Sequence, residues 1–234
     1  KEHLNTYLDN HYIHRSNWLR AAVLGANDGI LSTASIAIGI ATASDARDPL
    51  ILATLAGLVA GSLYMAAGEF VSVSSQTDIE QADIERERKE LEEMPELELQ
   101  RLAEIYENRG LKKETALTVA KELTEHDVLE AHIRDELGIN EVSQANPFQA
   151  AFASGAAFTF GGALPFLVTL FFPLSSMEYS IYGITTVSLI LLGAISAKTG
   201  GSSVSKAVIR ITFWGSIAMG LTAVVGYLFN VGVT

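Results

Sequence analysis

The chain reads as an all-α integral membrane protein with five transmembrane helices and a helical insert between helices 2 and 3. Three observations predict this. Apolar residues fill 49% of the 234 positions and the mean hydropathy is positive, at +0.27, which is unusual for a water-soluble domain. Five stretches are apolar over the roughly 20 residues that a helix needs to cross about 30 Å of hydrocarbon. The charge is also segregated. Residues 76–146 hold 20 Asp and Glu against 9 Lys and Arg, a difference equal to the whole net charge of −11.

Taken in order, residues 1–18 form a polar N-terminal segment without the apolar core of a signal peptide. Leu4, Tyr7, Leu8 and Tyr12 are spaced for a short amphipathic helix at the membrane surface. Residues 19–75 carry the first two spans, 19–43 and 50–74, and residues 147–234 carry the other three, 148–172, 179–197 and 207–231. Polar or turn-rich joints separate them, at 44–49, 173–178 and 198–206. The rival fold is a soluble helical bundle. Nearly uncharged runs of this length argue against it, because a core helix needs only one apolar face.

Lys and Arg set the orientation. Arg15 and Arg20 precede the first span, and Lys198, Lys206 and Arg210 surround the joint between the fourth and fifth. The two other short joints carry only Arg47. The N-terminus, the insert and the 198–206 joint are therefore expected in the cytosol, with the C-terminus opposite.

The insert, 76–146, reads as helices continuing from the second span. A charged run over 76–93 stops at Met94-Pro95, a second helix covers 96–108 before Arg109-Gly110, and a third, continuous or broken, runs over 111–137 to Gly138. Leu99, Leu102, Ile105 and Tyr106 fall at helical spacing and predict a face packed on neighbouring insert helices.

Composition also removes functions. A net charge of −11 argues against nucleic acid as a partner and for cations. The absence of cysteine removes disulfides, thiolate metal sites and thiol catalysis, and leaves the redox compartment undetermined. No nucleophile–base pair, phosphate loop or zinc-protease motif is present, and His11 and His14 are too few to argue for an enzyme.

An ionisable group inside a span is costly and marks a pathway by default. Asp28, beside Asn27, lies some eight residues inside the first span, and Glu69 lies near the cytosolic end of the second. Met65, one turn deeper than Glu69, falls at about the depth of Asp28 if the two helices are antiparallel. A carboxylate and a thioether at one level suit a borderline metal such as Fe²⁺. Glu69 would be a stepping stone toward the cytosol, and Asp28 could take up a proton as the metal leaves. The alternatives are that Met65 faces lipid and that Glu69 snorkels to water.

The insert offers a second set. Glu80, Asp83, Glu87 and Glu90 recur at three and four residues and line one helix face. His132 and Glu136 share another, and Glu98 opens the helix after Pro95. Oxygen donors with an imidazole suit a divalent cation. The alternative is a solvated face paired with Arg86, Arg88 and Lys89. Gly25-x-x-x-Gly29 and Gly57-x-x-x-Gly61 allow close helix contact or dimer packing. Gly161-Gly162-Ala-Leu-Pro165 could kink the third span.

Two motifs then carry a resemblance: His14-Arg-Ser-Asn-Trp-Leu-Arg-Ala-Ala-Val-Leu-Gly-Ala-Asn-Asp28-Gly, and Tyr64-Met65-Ala-Ala-Gly-Glu69-Phe-Val-Ser-Val-Ser-Ser-Gln. With five spans and an insert after the second, the whole chain resembles the vacuolar iron transporter family, its prokaryotic members more than its plant ones. The resemblance implies a homodimer with the ion path at the dimer interface, exchanging cytosolic Fe²⁺, often Mn²⁺ too, for protons. The path's Asp and Met would be Asp28 and Met65, and the insert's ligating glutamates would be Glu87, Glu90, Glu98 and Glu136. The chain departs from the pattern where a further insert glutamate falls on Arg101, a methionine pair on His132 and Ile133, and a membrane glutamate on Gly57. His132 could substitute nitrogen for sulfur, and Glu69 could replace the lost membrane charge.

The expectation is thus a proton-coupled Fe²⁺/Mn²⁺ exporter, multi-pass in a prokaryotic cell membrane (or a vacuolar one, if eukaryotic). The rival is a membrane-tethered metal sensor or store without transport. An iron-oxidising membrane enzyme ranks last, since the Glu-x-x-His pairs of di-iron sites are missing.

Overall fold

A computed structural model of the chain describes residues 16–139 and 146–233. The surface helix expected around Leu4, Tyr7, Leu8 and Tyr12 lies outside the described residues, as do His11 and His14. The described residues form seven α-helices: α1 Ser16–Ala43, α2 Arg47–Glu93, α3 Pro95–Asn108, α4 Lys113–Asp135, α5 Pro147–Phe171, α6 Met177–Thr199 and α7 Val204–Val233. A 3₁₀ turn, Leu174–Ser176, precedes α6. By length and composition five of these helices (α1, α2, α5, α6 and α7) can cross a membrane.

The second span and the first insert helix are one 47-residue helix, α2. Ser74, Ser75, Gln76 and Thr77 change its surface from apolar to polar without a proline or glycine to break it. Thr77 keeps its hydroxyl satisfied by donating to the Val73 carbonyl at 3.0 Å. The helix stops only where Pro95 cannot continue it.

Contacts divide the chain into two units, one formed by the residues up to Phe70 and from Pro147 onward, the other by Val71–Asn146. In the first, a buried apolar cluster gathers Ala34, Ala37 and Ile38 of α1, Leu50 of α2, Val168 of α5, Met177 and Ile181 of α6 and Met219 of α7. Close packing of α1 on α5 comes from glycines on both helices. A Cβ at Gly29 would run into the Phe158 carbonyl oxygen, and one at Gly161 into that of Ala26. Small residues let backbones approach where lipid supplies no hydrophobic drive for helices to associate. The Gly25/Gly29 and Gly57/Gly61 pairs both work within the chain: Gly25 meets Ser154, Gly57 meets Ile36, and Gly61 meets the Phe158 ring. Gly161 and Gly162 serve the same packing, and α5 runs helical through Pro165.

Several polar contacts join the helices of this unit. Ser62 of α2 pairs with the Gly155 carbonyl at 3.0 Å and the Thr159 hydroxyl at 2.7 Å, joining α2 to α5. Arg47, at the start of α2, donates to the carbonyls of Leu170 and Phe172 at 2.7 and 2.5 Å and so caps the end of α5. Asn230 donates to the Thr42 carbonyl at 3.0 Å.

In the second unit α3 packs on α4 through Leu102, Ala103, Ala120 and Ala131, flanked by Leu99, Tyr106 and Leu123. The fully buried Leu102 contributes about 1.5–3 kcal/mol. Pro95 opens α3 at a position where its missing N–H costs nothing. Gly110, with φ +101°, turns the chain after α3 through a conformation that a Cβ would strain. The third insert helix is broken: Asp127 is extended (φ −159°, ψ 100°), and its carboxylate accepts the Glu130 N–H at 2.9 Å. Asp127-Val-Leu-Glu130 is thus an N-cap inside α4 that starts a new helical segment. A latch holds that segment down. Asp135 accepts Tyr106 Oη at 2.7 Å, Arg109 at 2.6 Å and Arg134 at 3.1 Å. Burial pushes the Asp135 carboxyl up, but these three donors outweigh it and hold it below the usual carboxylate range.

Candidate metal centre

The re-aimed second segment of α4 carries His132 and Glu136, one turn apart on the face that meets Glu87 of α2 and Glu98 of α3. His132 Nδ1 lies 2.9 Å from Glu87 Oε1 and 3.0 Å from Glu136 Oε2. One donor atom from each of Glu87, Glu98, His132 and Glu136 falls within 4.8 Å of all the others. The group is withdrawn from water: His132 is 0%, Glu98 1% and Glu87 3% exposed, with Glu136 partly open.

Three carboxylates do not gather in a dry site without cause. Ionised side chains at this burial repel one another and lose hydration, which costs several kcal/mol per ion unless a cation compensates. Burial first, and then the Glu136 and Glu98 charges, push the Glu87 carboxyl up, while His132 opposes them. Two buried atoms, Glu87 Oε1 and His132 Nε2, lack a properly aligned hydrogen-bond partner. A Nδ1 lone pair with carboxylate oxygens is the donor chemistry of a divalent transition metal, harder than a thiolate site and softer than all-oxygen. The residues present therefore fit such an ion, which would bind an unprotonated imidazole nitrogen and ionised carboxylates.

The other insert residues singled out by spacing lie elsewhere. Asp83 is exposed and outside the group. Glu90 faces Arg86 Nε at 2.9 Å and Arg101 Nη1 at 3.5 Å. Glu80 accepts a hydrogen bond from Gln76 at 2.9 Å. Helical spacing put Asp83, Glu87 and Glu90 on one broad face, but only Glu87 points where α3 and α4 cover it. Arg101 sits against three carboxylates, and no spacing rule announced it. The Asp127 cap that aims His132 was open to discovery as a capping box within a helical run.

In the membrane unit α5 serves as a ruler. Gly25 and Gly29 of α1 meet Ser154 and Phe158, while Ser62 and Ala66 of α2 meet Gly155. Asp28 and Met65 therefore lie within about one helical turn of the same level. The Phe70 ring stacks on Phe148 with centroids 5.0 Å apart, which places Glu69 level with the start of α5. Asp28 is exposed on the single chain, and Asn27, Met65 and Glu69 are half-buried. The Ser32 hydroxyl bonds the Asp28 backbone carbonyl, not its carboxylate. Gly57, where the resemblance would put a membrane glutamate, has the tip of the Ile36 side chain against it, which would have to shift for a longer side chain.

Comparison with known proteins follows the same lines. A profile described as VIT family matches residues 19–227. A protein of Acanthamoeba castellanii named vacuolar iron transporter is 46% identical over 216 residues, covering 91% of this chain and 79% of that one. Vacuolar iron transporter homolog 2.1 of Arabidopsis thaliana is 33% identical over 212 residues, 90% of this chain and 81% of its own. Vacuolar iron transporter homolog 1 of rice (Oryza sativa subsp. japonica) is 34% identical over 220 residues, 94% and 77% respectively. A match that runs from the first span into the last, with the second motif wholly inside it and the first from residue 19 onward, makes this chain a member of the VIT family.

Proposed function

We propose that this multi-pass membrane protein carries a divalent transition metal, Fe²⁺ and also Mn²⁺, out of the cytosol in exchange for protons. The observation that carries the reading is the buried Glu87–Glu98–His132–Glu136 group, a donor set for such an ion in a chain whose relatives are named for iron transport. The insert gathers metal, Glu69 receives it at the membrane rim, and Asp28 with Met65 binds it midway. Transport chemistry breaks no covalent bond, so no nucleophile is required, and the protein is not an enzyme.

Asp28 lies open on α1, and Leu63 and Tyr64 of α2 are 67% and 77% exposed. A second copy of the chain covering these faces would enclose the path, which supports a homodimer. The cationic joint at Lys198, Lys206 and Arg210 supports a cytosolic N-terminus and insert, since Arg47, on the other side, is engaged in capping α5. The membrane is the cell membrane in a prokaryote and the vacuolar membrane in a eukaryote.

The test is Fe²⁺ uptake into proteoliposomes under an imposed pH gradient. Wild type is expected to take up metal only with the gradient, and Asp28→Ala to lose at least nine-tenths of the rate. Asp28→Ala transport at the wild-type rate would sink the path assignment. The rival, a tethered sensor or store, has one observation in its favour: all four donors lie within residues 71–146. It predicts metal binding but no uptake by the wild type.

A further inference from the structure

Three carboxylates converge on one side chain, Arg101. Its Nη1 lies 3.4 Å from Glu98 Oε1 and 3.5 Å from Glu90 Oε2, and its Nη2 lies 3.1 Å from Glu136 Oε1. Glu98 and Glu136 belong to the four-donor group; Glu90 does not. Arg101 is 48% exposed beside a Glu98 that is 1% exposed, so the guanidinium stands between the buried acids and water.

A guanidinium keeps its charge at any physiological pH and cannot ligate a metal, so Arg101 is a permanent cation at the site. It also shares Glu136 without blocking it: Oε1 faces Arg101, and Oε2 faces His132 Nδ1. Three ligand carboxylates and one guanidinium leave two negative charges, which one divalent ion cancels. A second ion would add positive charge that nothing buried there balances. Its natural extra ligand, Glu90, is already held by Arg86 and Arg101.

We propose that Arg101 is a built-in cation that limits this centre to one divalent ion per chain, by supplying one fixed positive charge and by keeping Glu90 out of the donor set. The inference rests on the reading of the four-donor group as a metal site. It predicts that a neutral residue at 101 opens a second ion position among Glu90, Glu98 and Glu136.

The experiment is equilibrium dialysis of the detergent-solubilised full chain against Mn²⁺, counting ions per chain lost when Glu98→Gln is added to each background. That subtraction removes ions bound elsewhere, including any in the membrane unit. Wild type and Arg101→Lys, which keeps the charge, should each show one ion. Arg101→Gln should show two, and the electron paramagnetic resonance spectrum of its bound Mn²⁺ should change from that of an isolated ion to that of a coupled pair. Arg101→Met, which keeps the aliphatic packing of the stem, is the second neutral variant and should also show two. One ion in both neutral variants, with the wild-type ion still dependent on Glu98, would overturn the role of Arg101 and leave the metal site standing. A wild-type ion count untouched by both Glu98→Gln and His132→Ala would remove the site itself, and the proposal with it.

Discussion

The two units of this chain treat carboxylates in opposite ways. In residues 71–146, Glu87, Glu98 and Glu136 are drawn out of water into a site completed by His132 and Arg101 of the same chain. In the membrane unit, Asp28 remains on an open face while the helices around it pack through glycine and hydroxyl contacts. The difference follows from what each unit can use for cohesion. The insert's core between α3 and α4 holds few large apolar side chains, and a polar centre joins α2, α3 and α4. The spans lack a hydrophobic drive against lipid, so they hold by close backbone approach, and a charged group among them is costly.

That contrast can be broken or sharpened by substitution, and the largest effect belongs to the insert. Glu98→Gln removes a donor carboxylate from the centre and should weaken Mn²⁺ binding by roughly 100-fold, about 2.8 kcal/mol at the conversion of 1.4 kcal/mol per tenfold change. Titration calorimetry on the full chain checks it. Unchanged affinity would mean that the buried acids are structural, and that the two units differ in packing alone.

Next comes the glycine seam. Gly29→Ala drives a methyl group into the Phe158 carbonyl, whereas Gly68 has nothing within 4 Å of the position its Cβ would take. Gly29→Ala should destabilise by about 1–3 kcal/mol, the usual cost of overpacking. Gly68→Ala should be neutral or stabilising by up to about 1 kcal/mol, the helix preference of alanine over glycine. Thermal unfolding in detergent separates them, and equal melting temperatures would show that α1 and α5 have room to part.

The smallest effect is one of pH. The Glu87 carboxyl is pushed up, first by burial, so the folded insert favours its protonated form. That contribution is complete below the usual carboxylate range and is lost as pH rises through the elevated folded value. At neutral pH the metal-free protein therefore carries a penalty that Glu87→Gln removes. The variant should melt higher than wild type at pH 7 without metal, and the gap should close toward pH 4. A variant that melts lower at pH 7 would show that the ionised Glu87 is fully compensated by His132.

Much of this architecture was legible as hydropathy. The five helices long and apolar enough to cross a membrane were marked by apolar runs, because lipid imposes a length and a composition on any helix that crosses it. The insert's helices were bounded by Pro95, Gly110 and Gly138, residues whose backbone preferences act locally. Even the break in α4 had a local cause in Asp127-Val-Leu-Glu130. The four-donor group was only partly legible. Periodicity put Asp83, Glu87 and Glu90 on one face, and it could not say which of them the next two helices would cover.

Composition and pattern alone carried the membrane class, the element order and the concentration of negative charge in one insert, since each depends on neighbours along the chain. Packing between helices settled the rest. It buried Glu87 and left Asp83 in water, turned Glu90 toward Arg86 and Arg101, and spent the glycine pairs on contacts within one chain. Distances between residues far apart in sequence follow from how helices cross, and a one-dimensional period carries no information about crossing.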